Sequence, residues 1–110
     1  MTPALSFKCE VEKSVDEHGI KLTRVTCHGR LVAGNSNEIT EVVKPLIPLG
    51  GHIRIDLLDL SYVDSSGLGA LVALKTSAIR QGRCFLELVH IPPRVMGLLR
   101  TAHVLELFAR

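Results

Sequence analysis

Apolar and polar residues alternate without a break near the start of the chain, with Leu5, Phe7, Cys9 and Val11 on one side and Ser6, Lys8, Glu10 and Glu12 on the other. A period of two marks a strand with one covered face. Asp16-Glu17-His18-Gly19 supplies turn chemistry, and a second strand is predicted from about Ile20 to His28, with Thr23, Val25 and Cys27 on one face. The pair reads as a hairpin. Asn35-Ser36-Asn37-Glu38 then offers capping side chains, Glu38 standing three after Asn35, before Ile39, Val42, Val43 and Leu46 recur at helical spacing. Pro45 strains the last turn of this first helix, so an early end is expected, and Pro48-Leu49-Gly50-Gly51 closes it.

Alternation returns in Ile53-Arg54-Ile55-Asp56-Leu57 and in Cys84-Phe85-Leu86-Glu87-Leu88, two further strands. Strands buried on both faces would be apolar almost throughout. Arg54, Asp56 and Glu87 therefore predict helices on one face of the sheet and a partly wet face opposite. Between these strands a helix over about Ser66 to Arg80 turns Leu68, Leu71, Val72, Leu74 and Ile79 to the sheet, and Gly82 ends it. Its other face begins with the small residues Gly69 and Ala73, a low surface for a close-fitting partner, and continues with Thr76 and Arg80 as a solvated face. Pro92-Pro93 opens a short helix carrying Val95, Leu98 and Leu99, and Val104 to Phe108 reads as a last short strand or turn. Helices that connect strands imply right-handed crossovers and a mixed sheet.

At 110 residues and 46% hydrophobic content, residues 1–110 make one α/β domain with no room for a second. A net charge of +2, from 13 basic and 11 acidic residues spread along the chain, sets up no field for nucleic acid or a membrane surface. Phe7, Tyr62, Phe85 and Phe108 are too separated to stack bases. No apolar run approaches the ~20 residues that span a bilayer, and Met1 to Ser6 lack the charged start and apolar core of a signal peptide. A cytoplasmic protein is expected. Cys9, Cys27 and Cys84 form no CxxC pair and suit a reducing compartment as small core residues. His18, His28, His52, His90 and His103 are scattered, so no metal site is expected, and no cofactor.

Leu57-Leu58-Asp59-Leu60-Ser61-Tyr62-Val63-Asp64-Ser65-Ser66-Gly67-Leu68-Gly69 resembles the signature of STAS domains, and specifically of bacterial anti-sigma factor antagonists. Pro92-Pro93-Arg94-Val95, then Leu98-Leu99 and Val104-Leu105, is similar to the later part of that family, and the element order agrees from about residue 5 onward. The resemblance implies a STAS-like single domain with a mixed central sheet and helices mainly on one face. It also implies a switch. The unmodified protein binds an anti-sigma factor that is also a serine kinase and so frees a sigma factor, until phosphorylation of the serine after the aspartate releases it. Here that serine is Ser65, with Ser66 as the second candidate, and a serine phosphatase is implied for resetting. ATP belongs to the kinase. The expected partner surface comprises Asp59, Tyr62, Asp64, Ser65, Ser66, Gly67, Leu68, Gly69 and Ala73, with Tyr62 read as a loop aromatic.

The chemistry of such a site agrees. Where a strand ends and a helix begins, free backbone amides and the helix dipole favour an anion, and Gly67 and Gly69 keep the first turn slim for a partner. A phosphate adds about −1.5 to −2 charges beside Asp64, and burying that dianion against a partner without basic groups is unfavourable. Taken alone, Asp-Ser-Ser before an apolar helix is an N-cap, and Asp59 and Asp64 suit turn and capping roles better than acid–base ones. A serine hydrolase would need a Gly-x-Ser-x-Gly elbow, but Val63 stands where the first glycine belongs and no histidine has the context of a general base. No enzyme is expected. The family often carries a Gly-Glu-Leu-Asp type turn after the second strand, its aspartate near the phosphorylated serine, and this chain has Gly29-Arg30-Leu31-Val32. That departure leaves a non-switching STAS scaffold in a signalling or transport complex as the alternative, with Arg30 either pairing with a phosphate or solvated. Many relatives add another helix beyond the point matching Arg110, so an open sheet edge or core is expected, which a homodimer would cover.

Overall fold

The computed structural model describes residues 7–109, so the alternating Leu5 and Ser6 lie outside it. The opening alternation forms β1 (Phe7–Val15), and β2 (Lys21–Leu31) pairs with it antiparallel. The Asp16 carboxylate makes the predicted turn by accepting from the His18 and Ile20 amides at 2.8 and 2.9 Å. Cys9 and Cys27 lie opposite each other across this hairpin, both as free thiols.

α1 (Ser36–Val43) stops where Pro45 removes a donor, and the chain tightens into a 3-10 helix (Lys44–Leu49) that absorbs both prolines. The predicted capping box does not form. Asn35 turns its side chain back to the strand end instead, accepting from the Val32 amide at 2.9 Å and donating to the Arg30 carbonyl at 2.9 Å.

β3 (Gly51–Val63) runs six residues past the predicted end at Leu57. It pairs parallel with β2 through two register shifts, one as β2 goes from Thr26 to His28 and one as it goes from Gly29 to Arg30. Each shift leaves an extra residue on β3, a bulge that resets which side chains point inward. Leu57, Leu60 and Val63 are therefore buried while Leu58 is 72% exposed. Tyr62 is on this strand, not in a loop.

α2 (Ser65–Gln81) follows at once, ended by Gly82 in the left-handed conformation at φ 72°. Leu68, Leu71 and Leu74 face the sheet as predicted, each contributing about 1.5–3 kcal/mol of burial. Ile79 does not; it is 39% exposed, and Ala78 and Lys75 take the inward positions at that level. The Lys75 ammonium donates to the Leu86 carbonyl and lies 4.6 Å from the Phe85 ring centre. β4 (Cys84–Val89) pairs parallel with β3, giving the mixed sheet order β1-β2-β3-β4. α3 (Pro93–Thr101) sends Val95 and Leu99 into the same core, and the closing segment is a 3-10 helix (Leu105–Ala109), not a strand.

The other sheet face is polar. Glu12, Arg24, Arg54 and Glu87 lie side by side across the four strands. Arg54 Nε and His52 Nε2 reach Glu87 Oε1 at 2.7 and 3.0 Å. Asp56, only 6% exposed, is met by His90 Nδ1 at 3.1 Å and an Arg24 nitrogen at 3.7 Å. Burial pushes its carboxyl up, but the Leu58 amide, His90 and Arg24 outweigh that and hold it below the ordinary range. This charged surface is why helices cover one face only.

Candidate functional site

At the end of β3 the chain passes from strand to helix in one residue, Asp64, and that residue fixes the geometry of everything after it. Its backbone amide donates to the Leu31 carbonyl at 3.2 Å, continuing the β2–β3 pairing, while its own carbonyl accepts from Leu68 as the first bond of α2. The carboxylate is divided between two elements. Oδ1 accepts from the Gly67 amide at 2.8 Å and caps α2; Oδ2 accepts from the Ala33 amide at 3.0 Å and ties down the loop after β2. The Gly67 amide, with help from those of Ala33 and Ser66, holds this carboxyl below its ordinary range despite some desolvation. The first amides of α2 are thus already taken, so the expectation of free donors waiting for an anion is not met at Ser66 and Gly67.

Gly67 is needed inside the molecule. A Cβ there would sit 2.3 Å from the Leu31 carbonyl oxygen, so the start of α2 rests directly on the end of β2. Gly67 and Leu68 are both buried, Leu68 because it begins the helix stripe that continues through Leu71 and Leu74. Both these residues of the expected partner surface thus sit at core positions in the free chain. Ser65, Ser66, Gly69 and Ala73 are exposed, and a Cβ at Gly69 would meet nothing within 4 Å. Along the first two turns, therefore, α2 presents two hydroxyls and a surface without bulk.

Tyr62 lies opposite Arg30 in register, and the guanidinium carbon stands 4.7 Å from its ring centre. The Arg30 Nε is buried and has no hydrogen-bond partner among the described residues. Asp59 is elsewhere, roughly 16 Å of strand before Asp64, bonded through Oδ2 to His28 Nδ1. That contact raises the His28 pKa. Asp59 does not join the serine, and no sequence signal separated it from Asp64. The residues that sequence reasoning missed are Leu31 and Ala33, which hold the site through backbone groups and so leave no motif, whereas Asn35, read as a helix cap, braces the end of β2 instead.

The description of STAS domains fits residues 6–110 of this chain. The Bacillus cell fate determinant SpoIIAA in its phosphorylated form superposes with a TM-score of 0.67 at 17% identity, over 88% of this chain and 85% of that one. An anti-sigma factor antagonist from Mycobacterium paratuberculosis matches over 100% of both chains, with a TM-score of 0.64 and 16% identity. The murine anion transporter Slc26a9, in its inward-facing state, gives a TM-score of 0.71 at 20% identity over 94% of this chain, which spans 19% of the transporter. At these identities the likeness is one of fold. Among the described residues, no helix is long and apolar enough to cross a membrane.

Proposed function

The chain belongs to the STAS domain family, and on that premise we propose that it is an anti-sigma factor antagonist whose docking face is the start of α2, switched by phosphorylation of Ser65. The observation that carries this reading is the exposed Ser65 at the first position of α2, beside the low surface of Gly69 and Ala73. In the unphosphorylated form that surface binds an anti-sigma factor with serine kinase activity, and a sigma factor is freed. The kinase brings ATP, and a serine phosphatase restores the hydroxyl. The likeness to SpoIIAA, a protein described in a phosphorylated form, supports the same reading.

The geometry makes the switch local. Asp64 already fills the α2 cap through the Gly67 and Ser66 amides, so a phosphate on Ser65 meets a neighbouring carboxylate and no vacant cap amide at either position. Its charge faces outward and must be desolvated by any partner that closes over α2. A hundredfold loss of affinity needs about 2.7 kcal/mol, which one desolvated charge supplies without any motion of the fold.

Val32 stands where the STAS family often carries an aspartate near the serine, and this favours the second reading, a STAS scaffold that binds constitutively. The two separate in one experiment. Tagged Ser65→Ala and Ser65→Asp chains are expressed in the native cells, and an ATP-binding anti-sigma factor is sought among co-purifying proteins. The switch predicts its capture by Ser65→Ala and its loss with Ser65→Asp. Equal capture by both sinks the switch and leaves the scaffold.

A further inference from the structure

β1 is the outer strand of the sheet, with β2 on one side and no described strand on the other. A free edge invites pairing, and charged side chains normally block it. Here the charges choose among registers. On the helix side, Cys9 and Val11 lie opposite the buried Cys27 and Val25, yet Val11 is 44% exposed and Phe7 only half-buried, because the helix layer ends before β1 does. On the polar side, Lys8, Glu10 and Glu12 alternate with them.

Two copies meeting edge to edge about a two-fold axis perpendicular to the sheet place residues of the same face opposite one another. With the axis at Cys9, Lys8 of each copy meets Glu10 of the other, and Phe7 of each meets Val11 of the other. With the axis at Glu10, Val11 or Glu12, carboxylate faces carboxylate. At Lys8 or Lys13, ammonium faces ammonium. Registers that oppose odd to even residues set the helix side of one copy beside the polar side of the next. Of the centres from Lys8 to Lys13, Cys9 alone satisfies both faces.

We propose that this chain forms a homodimer in which β1 pairs antiparallel with β1 of a second copy about Cys9, making one sheet continuous through both. The new pairs bring Phe7 and Val11 together over the uncovered edge of the core, and each of the two Lys8–Glu10 pairs contributes a cross-strand attraction. β1 lies two strands from β3, so the start of α2 stays open and the dimer is independent of the state of Ser65.

Sedimentation velocity of the full chain under reducing conditions tests this over a concentration series. The wild type shifts from monomer to dimer with concentration. Lys8→Glu opposes two pairs of carboxylates and weakens association on the order of tenfold or more, and the double exchange Lys8→Glu with Glu10→Lys restores it, which separates the interface from any loss of folding. In a Cys27→Ser, Cys84→Ser chain, diamide takes two electrons and two protons from the paired Cys9 thiols and leaves a disulfide-linked dimer. A wild type that stays monomeric throughout its soluble range overturns the interface. A dimer indifferent to Lys8→Glu, or without the Cys9 cross-link, overturns the register.

Discussion

Gly67 is held by what its absent side chain would strike. With a Cβ placed 2.3 Å from the Leu31 carbonyl oxygen, neither partner is the mobile tip of a side chain, so backbone must shift. Gly67→Ala is expected to cost about 1–3 kcal/mol, seen as a fall in Tm of roughly 4–8 °C per kcal/mol; an unchanged Tm would mean that β2 and α2 are not packed this closely. Asp64 acts at the same scale through its two oxygens. Its folded pKa is below the ordinary 3.8, so its contribution is complete above that value and is lost as pH falls through the lowered one. Asp64→Ala should lower Tm at neutral pH and flatten the acid limb of stability below pH 3.8; a variant parallel to wild type throughout contradicts the capping role. The sequence made Asp64 legible as a cap, because that follows from residue type at a helix start. It did not show the packing reason for Gly67, since close approach to a carbonyl thirty-six residues earlier is a tertiary fact that no local pattern encodes.

Elements were legible wherever one period ran unbroken. β1, β2, the first half of β3 and β4 follow their alternation, and α1 ends early at Val43, ahead of Pro45, as its sequence requires. The second half of β3 was missed because its two bulges break the alternation: Leu57 and Leu58 are adjacent, then Leu60 and Val63 are three apart, which resembles no simple strand. In α2 the inward stripe was followed to Ile79 on hydrophobicity alone, whereas the helix turns Lys75 and Ala78 inward and Lys75 finds the Leu86 carbonyl and the Phe85 ring. Burial lowers the Lys75 pKa, against the opposing influence of Cys84 and Glu87. A lowered folded pKa means that the unfolded chain binds more protons, so stability rises with pH from the lowered value up to the ordinary 10.5. Lys75→Met removes that rise. Because the raised thiols of Cys27 and Cys84 oppose any rise above pH 9.0 in both proteins, urea unfolding from neutral pH to 10.5 should show wild type gaining stability relative to the variant, and identical slopes would mean that the amine is not desolvated.

For the molecule as a whole, the polar members of the strands forecast a one-sided sheet, and the row Glu12, Arg24, Arg54 and Glu87 with its histidine and aspartate neighbours is that uncovered side. The helix side carries the core and, at the strand-to-helix junction, the exposed serines. The fold keeps these surfaces apart, so the proposed phosphate on Ser65 would change the surface of α2 without touching the core or the β1 edge. Phosphopeptide mass spectrometry on the protein from its native cells tests this most directly. Trypsin cutting after Arg54 and Lys75 releases Ile55 to Lys75 as one peptide, in which fragment ions separate Ser61, Tyr62, Ser65 and Ser66. The account predicts a phosphate on Ser65 whose occupancy changes with growth conditions; a well-covered peptide that carries none under any condition, or carries it only on Ser61 or Tyr62, contradicts it.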